Sequence, residues 1–245
     1  MMSSPTVSAE LVRAISEFAD LPAMSNQEGT ITYRRLGQFV AKLGEQLAAS
    51  QVVGIFGSPG VAMAASAVAS TIHGRAFVHL DPAMPQMVLH NIVSELQVSL
   101  IMTCEAATAG QLPSDCETVD ANDLLANAPA PYAQLHPAAV APTDPIYLVA
   151  TSGTTGRPKC IPVSQDAAYL SYVWRDAFTP YGPDMRVGIY VFAIWEMFRP
   201  LRKGARLWFP DASTLFAPGK LADFLIENKI DEMLFTPSFY ATFLN

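Results

Sequence analysis

Apolar residues first recur at helical spacing within 8–19, at Leu11, Val12, Ile15 and Phe18. From 31, ITYRRLGQFVAKLGEQLAA reads as a short strand running into an amphipathic helix, with Leu36, Phe39, Val40, Leu43 and Leu47 on one face. The pattern then changes to short apolar runs: QVVGIFG (51–57), RAFVHL (75–80), VSLIMT (98–103) and IYLVATS (146–152). Helix-like segments lie between the first of these, at 60–73 and 85–96. Strands alternating with helices predict parallel strands joined by crossovers, an α/β fold of parallel-rich sheets flanked by helices. The most apolar stretch, VAMAASAVASTI at 61–72, falls well short of the roughly 20 residues of a membrane span, so it predicts a packed helix. Residues 105–145, with APAPYAQLHPAAVAPTDP, read as a surface connection, because prolines cannot serve a sheet interior.

After 151 the alternation resumes. VGIYVF (187–192) predicts a strand, AIWEMFRPLRKG a helix ending at Gly204, and ARLWFP the next strand. KLADFLIENK predicts a helix, IDEMLFT a strand, and PSFYATFLN a helix with Pro in its first turn. The sequence stops inside that helix with the alternation unfinished, and the expectation is a longer parent domain.

Composition narrows the function classes. Of 245 residues, 51% are hydrophobic and 15% charged, which suits a buried globular interior rather than disorder. The net charge of −7, with no basic run, argues against duplex nucleic acid as a partner. An anionic ligand stays open, since backbone amides and a few local cations hold phosphate on acidic proteins. Cys104, Cys116 and Cys160 show neither a disulfide framework nor metal spacing, which points to a reducing cytoplasm. The N-terminus has no secretory pattern, and neither a membrane partner nor a protein-held metal is expected. His73, His79, His90 and His136 lack metal spacing and are expected to be structural or on the surface.

The strongest local signal is IYLVATSGTTGRPKCIPVS at 146–164. A strand feeds a loop holding Thr151, Ser152, Gly153, Thr154, Thr155, Gly156, Arg157, Pro158 and Lys159. Its glycines permit backbone angles that other residues resist. Hydroxyls and exposed amides can wrap phosphate oxygens, and Lys159 adds charge. The spacing matches neither the P-loop nor the dinucleotide fingerprint.

TSGTTGRPK resembles the phosphate-binding signature of the superfamily of acyl-CoA ligases, peptide-synthetase adenylation domains and luciferases. ITYRRLGQFVAKL, HGRAFVHLDPAMP (73–85), YVFAIWEMFRPLRKGARLWF (190–209) and EMLFTPSFYATFL (232–244) resemble further family motifs in the family's order. The likeness spans nearly the whole chain and is nearest to peptide-synthetase adenylation domains. It implies two interleaved α/β subdomains, roughly 46–180 and 1–45 plus 181–245. It also implies ATP-dependent activation of a small carboxylic acid: Mg2+-ATP gives an acyl adenylate, which passes to phosphopantetheine on a downstream carrier domain. Thr151, Ser152, Gly153, Thr154, Thr155, Gly156 and Lys159 would hold the phosphates. The family's magnesium-side Thr-Glu pair, its ribose-binding Asp and the Lys of its C-terminal subdomain have no counterparts here. No catalytic residue is therefore assigned beyond phosphate stabilisation by Lys159, and these residues alone are expected not to turn over.

Departures from the family pattern carry information. Cys160 stands where Gly is usual and Gln165 where His is common; Cys160 reads as a small packed residue. Aligning Trp195–Glu196 with the family's Trp-Glu puts Tyr190 at its Phe and Val191 at the Asp that pairs with an amino acid's α-ammonium. Val191 cannot offset that charge, so an ordinary α-amino acid is disfavoured. Phe192 and Trp195 fall at acyl-pocket positions; spaced i and i+3, they would share a helix face with Tyr190 nearby. Two substrate classes fit: an aryl or apolar acid stacked on the rings, or a betaine-like acid held by cation–π contact. The second is similar to fungal reductases built as adenylation–carrier–reductase chains, and NADPH enters only in that case. A non-catalytic nucleotide- or acyl-binding module and an interaction scaffold stay open as alternatives.

Overall fold

A computed structural model describes residues 6–44, 46–47, 51–108, 110–128, 134–151, 158–190 and 195–244. Helix α1 (Val7–Glu17) is capped by Thr6, whose hydroxyl accepts from Ala9 N–H at 3.1 Å. Strands β1 (Pro22–Ser25) and β2 (Thr30–Thr32) form an antiparallel pair leading into α2 (Tyr33–Gly44). β3 (Val52–Phe56), α3 (Val61–Ile72), β4 (Ala76–Leu80), α4 (Gln86–Glu95) and β5 (Leu100–Thr103) then alternate, followed by β6 (Glu117–Asp120) and α5 (Ala121–Asn127). β7 (Pro145–Thr151) and β8 (Lys159–Ser164) lead to α6 (Gln165–Asp176). The rest comprises β9 (Arg186–Gly188), α7 (Phe198–Leu201), β10 (Arg206–Trp208), α8 (Ala212–Leu215), α9 (Pro218–Glu227), β11 (Glu232–Met233) and α10 (Pro237–Leu244).

The strands make two sheets, in the orders β6-β5-β3-β4-β7-β8 and β11-β9-β10-β1-β2. All pairings are parallel except β7 with β8 and β1 with β2. The expected class, α/β with parallel-rich sheets flanked by helices, is the one found. β1, unanticipated from the pattern, sits inside the second sheet between β2 and β10.

Helix α3 explains why a chain this apolar forms these layers. All twelve of its residues are buried. One side packs on β3 and β4, the other on α1 and α2, and α2 in turn meets β1 and β2. Its buried serines bond back into the helix, Ser66 to Ala62 O and Ser70 to Ser66 O, each at 2.8 Å. The predicted face of α2 is fully inside: Leu36, Phe39, Val40 and Leu43 are 0% exposed and Leu47 1%. Each such side chain contributes about 1.5–3 kcal/mol on burial.

Four expectations are corrected. Residues 105–145 are not only a connection, since they hold β6 and α5. β6 is an edge strand without a buried residue, so no apolar pattern announces it. The helix expected over 193–204 shrinks to a 3₁₀ turn at 195–197 and the four-residue α7. Pro200 lacks the N–H of a helix interior and fits only in a first turn. Gly204 does end it, with φ +83, and a Cβ there would lie 2.6 Å from the Phe18 ring. The strands expected over 187–192 and through IDEMLFT reduce to β9 and β11; residues 191–192 lie outside the described set.

A buried charge cluster crosses the molecule near α7. Arg202, 0% exposed, bonds Glu10 of α1 and reaches Asp176 of α6 at 2.6 Å. Arg199, also buried, bonds the Thr179 hydroxyl at 2.8 Å and lies 3.6 Å from Asp176. Buried guanidinium groups of this kind need their carboxylates, because an uncompensated charge inside is costly.

Candidate functional site

Strand β7 runs parallel to β4 and turns back as β8, with Thr151 opposite Lys159. The Thr151 hydroxyl donates to the Lys159 carbonyl at 3.2 Å and closes the base of the loop between them. Lys159 is exposed and Pro158 buried, so the cation stands clear of a packed stem. Ser152, Gly153, Thr154, Thr155 and Gly156 lie outside the described residues. Pro162 sits in β8, which borders the sheet and pairs only with β7, the placement a strand proline tolerates. Cys160 pairs with Ala150 and packs against the cluster of Phe56, Val78 and Leu80. Desolvation, helped by Glu95, raises its thiol above the usual range, away from nucleophilic character.

Trp195 lies beside the same strand. Its indole stacks on Tyr147 of β7, centroids 5.9 Å apart and planes 11° from parallel. Its carbonyl accepts from the Tyr172 hydroxyl of α6 at 3.0 Å. Glu196 pairs with Arg175 at 2.5 Å and lies 3.7 Å from Arg199. Desolvation alone would lower Arg175, yet the Glu196 bond and charge outweigh it, and the guanidinium is held more firmly protonated. Val191 and Phe192 fall outside the described residues, and with them the Val191 substitution at the ammonium position and the helix face expected for Phe192 and Trp195. Tyr190 does not join the Trp195 stack; its ring meets Phe239 at 4.7 Å and Phe235 at 6.1 Å. A cavity of about 320 Å³ is lined by Arg175, Tyr181, Ile189, Tyr190, Glu196 and Arg199; it borders Glu196, while Trp195 and Tyr147 are not among its lining residues.

The remaining candidates resolve into structure. His73 bonds Val40 O at 2.9 Å, His79 bonds Gly57 O at 2.7 Å and His90 bonds Gly110 O at 3.0 Å; His136 is exposed. All three cysteines are free thiols. Among the described residues no group of three or more His, Cys, Asp or Glu is placed to hold a metal. No helix among them is long and apolar enough to cross a membrane. A larger cleft of about 630 Å³ lies at the carboxyl ends of β1, β3, β4 and β10, lined by Glu28, Asp81, Glu105 and Asp211. Three of those acids already serve backbone N–H groups: Asp81 that of Ala83, Glu105 that of Ser58 and Asp211 that of Thr214.

The comparisons decide the family. The family model described as AMP-binding enzyme matches residues 11–245. The chain belongs to the AMP-binding enzymes. Glycine betaine reductase ATRR of Emericella nidulans is 28% identical over 238 residues, covering 91% of this chain and 18% of that protein. Enterobactin synthase component F of Escherichia coli O157:H7 is 27% identical over 252 residues, covering 98% of this chain and 19% of that protein. The chain thus spans about a fifth of the length of these curated relatives. Among solved structures, a four-domain nonribosomal peptide synthetase, holo-AB3403 bound to AMP and glycine, superposes with a TM-score of 0.80 at 21% identity. That match covers 98% of this chain and 19% of the other. The N-terminal subdomain of Klebsiella oxytoca NpsA gives 0.79 at 17% identity, over 98% of this chain and 63% of that one. These structures show that the fold is that of AMP-binding enzymes.

No sequence pattern singles out Tyr147, Tyr172 or Arg175, yet the two tyrosines meet Trp195 and Arg175 meets Glu196. Their signal was present in part. Ser164 caps α6 through the Ala167 N–H, and Gln165, Ala168 and Tyr172 form its buried face. Exposed Leu170, Val173 and Trp174 on the same helix blur that period.

Proposed function

We propose that these residues form the N-terminal part of an adenylation domain, acting within a longer polypeptide that activates a small carboxylic acid. A carboxylate oxygen attacks the α-phosphorus of ATP; the new O–P bond makes a mixed carboxylic–phosphoric anhydride, and the Pα–O bond to the β-phosphate breaks, releasing pyrophosphate. A carrier-bound phosphopantetheine thiol then attacks the acyl carbonyl and releases AMP. What carries the reading is the β7–β8 hairpin, tied at its base by Thr151 and Lys159, with Trp195 stacked on the same strand. Attack of one anion on another needs charge neutralisation and alignment. Lys159 supplies positive charge at the phosphates, while the 151–156 hydroxyls and amides orient them. Mg2+ would enter with ATP and supply charge neutralisation at the phosphates; among the described residues no group of three or more His, Cys, Asp or Glu is placed to hold it.

The interleaved division, 46–180 against 1–45 plus 181–245, is part of the same proposal. Its support is the strand membership of the two sheets.

For the substrate, we favour an acid without a free α-amine, either betaine-like or aryl. Val191 at the ammonium position and the aromatic Trp195 support this, as does the similarity to glycine betaine reductase ATRR. If the parent reduces the thioester as well, NADPH is the reductant. The test is ATP–pyrophosphate exchange by the full-length protein with glycine, dimethylglycine, glycine betaine, benzoate and common amino acids. Glycine betaine or benzoate is expected to lead. Preferential exchange with an ordinary amino acid would show that Val191 is misassigned.

A further inference from the structure

The rings around Trp195 form a closed circuit. Tyr147 of β7 stacks on the indole, and its register neighbour Phe77 of β4 tilts against it at 5.9 Å. Phe198 of α7 meets Phe77 edge-on at 6.0 Å and Tyr172 at 6.5 Å. Tyr172, 1% exposed, then closes the circuit with its hydroxyl bond to the Trp195 carbonyl. One helical turn further along α6, Arg175 pins Glu196. The Trp195–Glu196 dipeptide is thus held by its ring, its carbonyl and its carboxylate at once.

The hydroxyl of Tyr172 calls for an explanation. The ring itself packs on Phe198 and under the guanidinium groups of Arg175 and Arg202, at 5.8 and 5.6 Å. Phenylalanine would fill that space without burying a polar atom. A buried hydroxyl is costly unless paired, and this one is paired with the backbone of the residue read as the pocket wall. Tyr147 stands four positions before Thr151 on one strand, so the stack and Thr151 share one support.

We propose that Tyr172 is a positioning residue for substrate recognition: its hydroxyl fixes the Trp195 backbone so that the indole lies on Tyr147, in register with the strand that ends at Thr151. The proposal rests on the reading of Trp195 as an acyl-pocket residue. A carboxylate must be presented in line with the α-phosphorus, and misplacement by about 1 Å costs up to 10²-fold in rate. A wall registered to the strand that carries the loop meets that requirement.

Tyr172→Phe keeps the ring and deletes the hydroxyl. In the full-length protein, the near-ultraviolet circular dichroism of Trp195 is obtained as the difference between the protein and its Trp195→Phe variant. Tyr172→Phe is expected to diminish that band while the far-ultraviolet spectrum stays unchanged. In the full-length protein, exchange is measured with whichever panel acid turns over fastest. Tyr172→Phe should raise KM for that acid about tenfold, the scale of one lost buried hydrogen bond, and leave KM for ATP within about twofold. The double variant Tyr172→Phe/Trp195→Leu should be no worse than Trp195→Leu alone, since Tyr172 acts through Trp195. If Tyr172→Phe does not fold, Tyr147→Leu removes the stacking plate instead, and the same selective rise in KM is expected. An unchanged Trp195 band, equal effects on both KM values, or additive losses in the double variant would each overturn the proposal. Should Trp195→Leu raise KM while the band ignores Tyr172→Phe, the pocket reading stands and the role of Tyr172 falls. Should Trp195→Leu leave KM unchanged, the pocket reading falls and takes the proposal with it.

Discussion

The two sheets are built from the same kinds of units but are held very differently. In the six-stranded sheet, β3, β4 and β5 are buried along most of their length, and α3 covers them without one exposed residue. In the five-stranded sheet, the described strands are two to four residues long. Beside its border strand β11, Leu234 is 50% exposed, and α10 has no buried residue. Leu215, Leu221 and Phe224 form a small cluster of their own there. Within these residues, burial is therefore concentrated where the β7–β8 hairpin is anchored, and the flank bearing β11 and α10 carries little of it.

Four measurements sharpen or break that contrast. The largest effect belongs to Arg202, at the seam between α1, α6 and α7. Arg202→Ala removes the buried guanidinium that Glu10 and Asp176 share, leaving Asp176 to Arg199 and Lys203, and urea unfolding should show a loss of about 3–5 kcal/mol. Phe77→Ala, inside the aromatic circuit of the six-stranded sheet, should cost about 3–5 kcal/mol by the same measurement. Lys159→Ala separates stability from activity: its exposed side chain should leave unfolding unchanged. Exchange by the full-length protein should nonetheless fall about 10²–10³-fold, the scale for losing one stabilising donor. Unchanged kinetics would remove the loop from the mechanism. At the other extreme, Leu234→Ala should shift stability by less than about 0.5 kcal/mol. A loss comparable to that of Phe77→Ala would erase the contrast between the sheets.

What was legible in the chain follows the same division. Leu36, Phe39, Val40, Leu43 and Leu47 were all predicted to face inward, and all do, because a one-sided helix writes its burial as a period. The runs at β3, β4, β5 and β7 were equally plain. β6, whose residues are all at least partly exposed, had no pattern to read. α6 was missed because its outer face carries Leu170, Val173 and Trp174. In the candidate site, Thr151 and Lys159 are marked by hydroxyl, glycine and lysine spacing. Trp195 was found only through resemblance to the adenylate-forming superfamily. Tyr147, Tyr172 and Arg175 come from distant positions, and only packing brings them to Trp195. No local pattern encodes such a meeting.

The place of β1 has a consequence for how the protein is made. β1 is an inner strand whose parallel neighbour, β10, lies at residues 206–208. Arg202, likewise, reaches back to Glu10. A ribosome adding about 5–20 residues per second exposes the first strand on the order of ten seconds before its partner exists. The strands from β3 to β5 can pair as they emerge, so the six-stranded sheet is the natural first unit to form. Until then β1 is an apolar strand with an unfilled edge, and slowing translation between 56 and 206 would lengthen its exposure to chaperones and to misassembly.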